Sequence, residues 1–340
     1  MKLKLSRGDE LCRSESFRMR LRYLILDKIK NTRSEVLVNP AIGEDCSVID
    51  LGQELCVLSS DPITGTENEI GRIAVHVSCN DIAASGAEPI GLMVTLLIPP
   101  DASLDSVEKI IRQLTVTATS AHVDIIGGHT EVTDAVNRFV ISVTAIGRTI
   151  GKNVIQTSGV KPGDSFILTK TAGLEGTAIL AFENQKELAQ KFGSQLVIEA
   201  KKLIAQISVV KEGRIAAMHG VHAMHDVTEG GVLGAVWEMC DASGCGAEIY
   251  KDSIPILDTT KTICNYFNIN PLKLISSGCM LIADENGAAL VEKLENEGIP
   301  AAIIGKATEK KSRLLITETG AVIIPSPKSD ELYKAKKRDE

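Results

Sequence analysis

The sequence predicts two α/β or α+β domains that meet near residue 155. In both halves of the chain, apolar strand-like runs alternate with stretches of helical spacing. Residues 151–163 read as a linker, with the turn-forming string Lys161-Pro162-Gly163-Asp164 at its end. A chain of 340 residues is long enough for two domains with separate cores.

The elements of the first half follow from the spacing of its apolar residues. Four apolar side chains on one face predict a helix over 17–30, and a stripe that includes Ile73 and Val77 predicts a second helix over 69–85. A third helix is predicted over 104–121. Buried or β-branched runs predict strands over 47–50, 55–59, 91–98, 123–126 and 138–149.

The second half repeats the alternation. Apolar runs predict strands over 165–169, 221–225, 279–283, 301–304 and 313–317. Helices are predicted over 175–182, 231–242 and 285–297. The longest helical pattern starts after Gly193, with Ser194 as its N-cap. The charged tail from Lys328 is expected to be frayed.

The composition argues against several classes of function. A net charge of -7 disfavours a general nucleic-acid binder, and an aromatic content of 3% leaves few platforms for stacking on single strands. None of the eight cysteines forms a Cys-x-x-Cys pair, so a structural zinc site is not expected. No secretory signal or membrane-length apolar run is visible. We expect a cytoplasmic protein with buried thiols and without nucleic-acid or membrane partners.

Five acidic or glycine-bearing strings lie at the edges of apolar runs. They are Gly43-Glu44-Asp45-Cys46, Ser60-Asp61-Pro62, Asn80-Asp81, Gly127-Gly128-His129-Thr130-Glu131 and His225-Asp226-Val227-Thr228-Glu229-Gly230-Gly231. Carboxylates at element ends can converge on one divalent cation, and Mg²⁺ prefers oxygen ligands beside a substrate phosphate. Glycines at the same points let backbone amides approach phosphate oxygens. The strings together predict a nucleotide-phosphate and Mg²⁺ site built from distant segments.

Asp81 is the most informative single carboxylate. It lies four residues after Val77, so a continuous helix places it on the apolar stripe. A buried carboxylate is costly unless it is paired, hydrogen-bonded or metal-bound. The alternative is a helix that ends near Asn80, with Asp81 capping the next segment of the chain. The similar strings elsewhere in the chain favour a ligand role.

Asp45 and Asp61 are weaker signals when taken singly. Gly43-Glu44-Asp45 can be a solvated turn, and Asp-Pro often merely starts one. Asp61, however, directly follows a predicted apolar strand. That position is the carboxyl end of the strand, where the ligands of α/β sheets tend to collect.

The Gly127-to-Glu131 string also follows a predicted strand. The two glycines permit close backbone approach, Thr130 offers a hydroxyl, and Glu131 can bind metal or position water. His129 could contact phosphate or transfer a proton. A Gly-Gly turn with an exposed histidine remains the alternative.

The string from His225 to Gly231 combines an acid, a hydroxyl and two glycines at the start of a predicted helix. With Asp226 and Thr228 at the end of the strand and Gly230 opening the helix, the geometry suits an anion at a helix N-terminus. Alternatively, Thr228 is an N-cap and the glycines serve packing. Lys170, which ends the strand over 165–169, could neutralise phosphate or be a solvated strand end.

Other signatures are absent or disfavoured. The chain has no P-loop, no Gly-x-Ser-x-Gly elbow and no His-Glu-x-x-His pair. A metal cluster of His219, His222 and His225 is not expected, because the segment from Val221 onward is extended.

In this order, the strings resemble the aminoimidazole ribonucleotide synthetase-like superfamily over about residues 35–318. That superfamily includes the purine enzyme, thiamine-monophosphate kinase, selenide water dikinase and the carbamoyl dehydratase HypE. The chain looks most similar to HypE-like members. Three strings carry this likeness: Ala41-Ile42-Gly43-Glu44-Asp45, Cys79-Asn80-Asp81-Ile82-Ala83-Ala84-Ser85-Gly86-Ala87 and Met224-His225-Asp226-Val227-Thr228-Glu229-Gly230-Gly231.

The resemblance implies a two-domain α+β (α/β-like) fold. Residues 35–155 would form an ATP-binding domain whose strands pair with a second subunit in a barrel-like homodimer, and residues 156–325 an α+β domain. Residues 1–34 would be an N-terminal extension and 326–340 a charged tail. ATP and Mg²⁺ would lie between the domains. By motif match, Asp45, Asp61 and Asp81 become metal or phosphate ligands with Asn80 nearby, and Gly127, Gly128 and Asp226 would line the nucleotide site.

Two departures from the family pattern shape the expected function. His129 replaces an acid of the family's Gly-Gly-Asp-Thr string, which Glu131 could supply. The last cysteine is Cys279, whereas HypE-type dehydratases carry their acceptor cysteine at the extreme C-terminus. We expect phosphoryl transfer to an oxygen of a small-molecule or partner-borne acceptor, with His129 or Glu131 as acid/base and a maturation partner protein. A small-molecule kinase and a nucleotide-binding maturation factor without turnover remain alternatives.

Overall fold

A computed structural model of the protein describes residue 29 and residues 33–38, 44–64, 66, 68–150 and 154–335. Except for residue 29, the helix predicted over 17–30 lies outside these residues, and so does Gly43 of the first acidic string. The described residues form two mixed sheets with helices packed against them. The predicted α+β fold class is confirmed.

The first sheet has six strands in the order β1-β2-β3-β6-β4-β5. Neighbouring strands are antiparallel, except for the parallel pair β4 and β5. The strands are β1 (Val36–Val38), β2 (Ser47–Asp50), β3 (Leu55–Ile63), β4 (Ala87–Ile98), β5 (Asp124–Val132) and β6 (Val140–Thr149). β5 therefore forms one edge of this sheet.

Two helices accompany the first sheet, α1 (Ile70–Ala84) and α2 (Leu104–Ser120). α2 is amphipathic and begins at Ser103, whose hydroxyl accepts a hydrogen bond from the backbone N–H of Ser106. α1 is buried on nearly all sides. A helix of that kind needs apolar residues around its whole circumference, which is why its polar residues stand out.

The second sheet has seven strands in the order β13-β12-β9-β11-β7-β10-β8. The strands are β7 (Ser165–Thr169), β8 (Ala223–Asp226), β9 (Gly246–Tyr250), β10 (Met280–Asp284), β11 (Ala301–Thr308), β12 (Arg313–Thr317) and β13 (Gly320–Ile323). The helices are α3 (Leu174–Glu183), α4 (Gln185–Phe192), α5 (Ser194–Lys202), α6 (Val210–His219), α7 (Gly231–Ser243), α8 (Asp258–Phe267), α9 (Gly287–Asn296) and α10 (Glu331–Ala335). Short 3₁₀ turns lie at Thr157–Gly159, Leu203–Gln206, Lys251–Ser253 and Pro271–Lys273.

α1 joins the two halves of the fold. Ile70 and Ile82 belong to the apolar cluster of the first sheet, whereas Ile73 and Val77 belong to the large cluster of the second half. α1 also packs against α6 and β8. Because one helix serves both cores, side chains on it can link segments that are far apart in sequence.

Several element boundaries differ from the predicted ones in ways that affect the site. β3 and β5 run to residues 63 and 132 rather than 59 and 126, because paired strands continue through Pro62 and through the two glycines. The single long helix predicted from Ser194 is divided at a 3₁₀ turn into α5 and α6. Its N-cap is Gly193 rather than Ser194.

The expectation of a frayed tail from Lys328 is wrong for the described residues. Asp330 and Leu332 are each 2% exposed, because they pack into the second half of the fold. Because most of the tail is charged, its sequence did not indicate that Leu332 packs into the apolar core. Within the described ranges, no helix has both the length and the apolarity needed to cross a membrane.

Candidate functional site

The centre of the site is a group formed by Asp45, His225 and Asp226. One ligand atom from each lies within 4.8 Å of the others. Asp45 precedes β2 of the first sheet, and His225 and Asp226 end β8 of the second. Two of the predicted strings therefore meet, although 180 positions separate them in the sequence.

His225 is held between two carboxylates. Its Nδ1 lies 3.0 Å from Asp45 Oδ2, and its Nε2 lies 3.1 Å from Glu238 Oε2. Burial opposes a charge on the ring, but the two carboxylates outweigh it and hold the pKa of His225 well above its ordinary value. The carboxylates of Asp45 and Asp226 are oxygen donors that can hold a divalent cation here. The contact with His225 positions Asp45.

Asp81 lies inside α1 and is fully buried. The predicted placement on a continuous helix is therefore confirmed, and a helix that ends near Asn80 is not observed. Ser59 donates a hydrogen bond to Asp81 Oδ2 at 2.5 Å, and the thiol of Cys46 lies 3.2 Å from the Asp81 carbonyl oxygen. Asp81 thus lies beside the segment that carries Asp45, while the 4.8 Å group itself does not include it.

Asp61 and Thr228 line one cavity of about 250 Å³ between the two halves of the molecule. Asp61 is 4% exposed and lies within β3, near its carboxyl end. This agrees with its predicted place at the end of the strand. Asp61, like Asp81, is outside the group around Asp45.

Asn80 and Lys170 hold the backbone between residues 206 and 209. The Asn80 amide donates to Ile207 O at 2.7 Å and accepts from Val209 N at 2.8 Å. Lys170 Nζ donates to three carbonyl oxygens and lies 2.6 Å from Glu212 Oε1; the carbonyls belong to Gln206, Ser208 and Gly278. The ammonium has only three protons, so a phosphate contact by Lys170 requires the loss of one of these partners. Cofactor contacts by both residues stay predictions.

The Gly127-to-Glu131 string lies inside β5, where every residue is exposed. His129 Nε2 is 3.7 Å from Glu131 Oε2. Across the sheet, Gly128 pairs with Val94, Val94 with Val143, and Val143 with Asp61. Three strand spacings separate Gly128 from Asp61, which is about 14 Å. Within one chain, this string does not converge with the carboxylates.

The N-terminus of α7 contacts a carboxyl group from the chain's own C-terminal segment. Gly230 is the N-cap with φ 87°, and no side chain caps the helix, so Thr228 is not its N-cap. The N–H of Gly230 donates to Asp330 Oδ2 at 2.7 Å. Asp330 therefore occupies this helix N-terminus, and binding of a ligand anion there by Thr228 and Gly230 stays a prediction.

The sequence analysis did not identify three residues of the site, Glu238, Ser59 and Asp330. Glu238 lies on α7 outside any motif, and Ser59 directly precedes the Ser60-Asp61 string but belongs to no motif itself. Asp330 carried a usable signal: Ser329-Asp330 precedes a short helix, which is the pattern of an N-cap. Only contacts between distant segments reveal what the other two bind.

Two family descriptions match the sequence. Residues 43–149 match the AIR synthase related protein, N-terminal domain, and residues 161–316 match its C-terminal domain. A Methanocaldococcus jannaschii protein, provisionally named for hydrogenase expression/formation, is 33% identical over 323 residues, which is 91% of this chain and 94% of the relative. The carbamoyl dehydratase HypE of Escherichia coli K12 is 27% identical over 295 residues, 82% of this chain and 85% of its own.

Solved structures share the fold. HypE from a HypE–HypF complex superposes with a TM-score of 0.72 at 21% identity, covering 90% of this chain and 99% of its own. AaThiL complexed with AMPPCP and TMP gives 0.73 at 18% identity, covering 96% and 99%. HypE in complex with ATP gives 0.67 at 19% identity, covering 94% and 96%. With both halves matched and a 33% identical relative aligned along nearly its whole length, the chain is a HypE-like member of the AIR synthase related protein family.

Proposed function

We propose that this protein binds ATP with Mg²⁺ and transfers a phosphoryl group to an oxygen of a small-molecule or partner-borne acceptor. The observation that carries the proposal is the convergence of Asp45 and Asp226, from the two halves of the fold, beside the buried Asp81. Oxygen donors are what Mg²⁺ requires. Related proteins support the nucleotide: HypE has been solved with ATP and AaThiL with AMPPCP.

The residues of the chain fit a cation and a phosphate group. Asp45, Asp81 and Asp226 would hold the cation, with Asp61 in the adjoining cavity. Bound Mg–ATP would supply the transferable phosphoryl group and neutralise its charge. The contribution of His225 is to fix Asp45, so that less reorganisation is needed when a cation arrives. The buried position of these carboxylates keeps water away from the transfer.

A homodimer is part of the proposal. β5 is an edge strand with apolar side chains exposed, among them Ile126 at 58% and Val132 at 65%. Exposed edges of this kind invite pairing with another chain. Since Gly128 is about 14 Å from Asp61 within one chain, the glycine string would serve the site of a second copy. His129 and Glu131 would then act as acid/base across that interface.

Two further roles are each favoured by a specific similarity. HypE is named a carbamoyl dehydratase, and a HypE–HypF complex exists, which supports a maturation partner protein here. The similarity to AaThiL with AMPPCP and TMP supports a small-molecule kinase. Cytoplasmic location and the domain limits at residues 35, 155 and 325 stay predictions.

The proposal is tested by turnover. Purified protein with Mg–ATP should release ADP or AMP faster when the right acceptor is added, whereas a maturation factor without turnover would bind nucleotide and leave it intact. In the Asp81→Asn variant, the backbone contact from Cys46 is kept and the carboxylate charge is removed. Unchanged Mg–ATP affinity and turnover in that variant would rule out Asp81 as a metal ligand.

A further inference from the structure

Two cysteines meet at the C-terminal end of α7. The helix is capped by Gly244 with φ 69°, and the N–H groups of Gly244 and Cys245 donate to the carbonyl oxygens of Asp241 and Cys240. This pair of hydrogen bonds defines a Schellman motif, which brings the side chains of its first and last residues together. Those two positions usually hold apolar residues, whereas here they hold Cys240 and Cys245.

The two thiols are hydrogen-bonded to each other and are not equivalent. The hydrogen bond from Cys240 lowers the pKa of Cys245, and the nearby guanidinium of Arg313 acts in the same direction, while burial opposes both. The hydrogen bond and burial raise the pKa of Cys240. Because the thiolate is the nucleophilic form of cysteine, Cys245 is the thiol that attacks and Cys240 the thiol that keeps its proton.

Arg313 supplies a positive charge beside the thiols. Its guanidinium carbon lies 4.7 Å from the centre of the Trp237 ring, and its Nη2 lies 2.9 Å from Asp241 Oδ1. Its Nε–H is buried and has no conventional hydrogen-bond partner among the described residues. Buried donors are nearly always satisfied. A thiolate in the neighbouring pair would accept a hydrogen bond from it, so the surroundings favour ionisation of one thiol.

The thiols are buried under a thin cover. Cys240 is 0% exposed and Cys245 is 3% exposed. The side chains of Arg313 and Asp241, which pair next to them, are 16% and 48% exposed. Only a small reactant can therefore reach the sulfur atoms. In the part of the chain that the structure describes, neither cysteine belongs to a group of three possible metal ligands, which disfavours a metal centre here.

We propose that Cys240 and Cys245 form a redox-active dithiol, which a small hydroperoxide oxidises reversibly to a disulfide. The Cys245 thiolate attacks one peroxide oxygen and breaks the O–O bond, giving a sulfenic acid and a hydroxide or alkoxide, which takes up the proton that Cys245 had lost. The Cys240 sulfur then attacks the Cys245 sulfur. The S–S bond forms, and the sulfenic oxygen leaves as water with the proton of Cys240. Two electrons pass from the dithiol to the peroxide.

The test is a thiol-labelling experiment on the full chain without nucleotide. The protein is reduced, freed of reductant, exposed to hydrogen peroxide and then labelled with N-ethylmaleimide in denaturant. Cleavage after Arg214 and Lys251 releases a tryptic peptide that contains Cys240 and Cys245 and no other cysteine. This peptide should be unlabelled and two hydrogens lighter than its dithiol form, and reduction should restore labelling of both cysteines. Cys264, which is equally buried on α8, should stay labelled.

Three results of this experiment would overturn the proposal. The first is full labelling of the peptide after peroxide treatment, and the second is oxygen addition to it without a disulfide. The third is loss of label from Cys264 at the same rate, since oxidation would then follow general opening of the fold. Retained labelling of Cys264 also shows that each variant below is folded during the reaction.

The separate roles are tested by three variants. Cys240→Ser should stop at a sulfenic acid on Cys245, which dimedone traps, and Cys245→Ser should leave the thiol of Cys240 unoxidised. Arg313→Gln should slow disulfide formation several-fold. Arg148→Gln is its matched control, because Arg148 is an exposed arginine paired with Glu88 on the first sheet. An oxidised Cys240 in Cys245→Ser, or equal rates in the two arginine variants, would contradict the assignment.

Discussion

His225 Nδ1 lies 3.0 Å from Asp45 Oδ2, and this contact joins the two halves of the chain at the candidate metal site. On its other side, the same ring contacts Glu238. The imidazole therefore stands between two carboxylates that would otherwise face each other in a buried space. The contact both stabilises the fold and sets the position of a proposed ligand.

The His225→Gln variant should be destabilised by roughly 3–5 kcal/mol, the usual cost of breaking a buried ion pair by removing one partner. Loss of the imidazolium leaves Asp45 and Glu238 without the cation between them. The urea midpoint of unfolding measures the change. His129→Gln is the matched control: its ring is exposed and its pairing with Glu131 is loose, so its midpoint should hardly move. Equal midpoints for the two variants would contradict a stabilising role of His225 between Asp45 and Glu238.

The Asn80→Ala variant should lose about 2–4 kcal/mol of stability. Its amide satisfies Ile207 O and Val209 N, and both groups would be buried without a partner in the variant. Denaturant titration measures the loss, with the exposed Asn137→Ala as the control. A loss below about 0.5 kcal/mol, the size usual for surface substitutions, would show that water replaces the amide.

The pH dependence of stability should reveal Asp330. Its pKa is about 7 in the folded protein and about 3.9 in an unfolded chain, so the folded state keeps a proton that the unfolded state loses between these values. Relative to the Asp330→Asn variant, the wild type should therefore lose on the order of 4 kcal/mol as the pH rises from 4 to 7.

The difference between the two proteins should grow with pH, because burial raises the pKa of Asp330. At pH 4, where the folded protein keeps the proton, the acid and the variant amide each offer one carbonyl oxygen to the N–H donors of Gly230 and Leu332, so their stabilities should be similar. At pH 8 the variant should be the more stable protein. Urea midpoints at the two pH values check this. A difference that does not change with pH would show that the pKa of Asp330 is ordinary.

The exposed edge of the first sheet should mediate dimerisation. Sedimentation equilibrium should show a dimer for the wild type and a monomer for Ile126→Asp, since a charge on the apolar face of β5 opposes pairing. Leu104→Asp is the control, because Leu104 is 86% exposed and lies at the start of α2 rather than on β5. A wild-type monomer, or a dimer that both variants keep, would place the interface elsewhere.

Much of the candidate site could be predicted because its residues are polar or charged at positions where the surrounding sequence is apolar. Asp81 is a carboxylate on an apolar stripe, and that conflict identifies it in the sequence alone. The strings around Asp45 and Asp226 lie at strand boundaries, where loops collect ligands. Local composition therefore predicted which residues are unusual and that distant segments would meet.

The features that could not be predicted depend on contacts across the fold. Lys170 resembles a phosphate contact in sequence, yet its ammonium is saturated by backbone carbonyls from residues 206, 208 and 278. The glycines at 127 and 128 resembled a strand end, but parallel pairing with β4 continues through them. The burial of Asp330 depends on packing of the C-terminal tail, and the many charged residues of the tail gave no indication of that packing. None of these partners lies within a local window of sequence.

The most direct measurement is a calorimetric titration of the protein with a non-hydrolysable ATP analogue, with and without Mg²⁺. The wild type and the exposed control Asp134→Asn should bind the analogue only when Mg²⁺ is present, and Asp226→Asn should bind it at least tenfold more weakly. That result would establish the carboxylates from the two halves of the fold as the Mg–nucleotide site. Absence of binding, or binding that ignores both Mg²⁺ and the loss of Asp226, would contradict it.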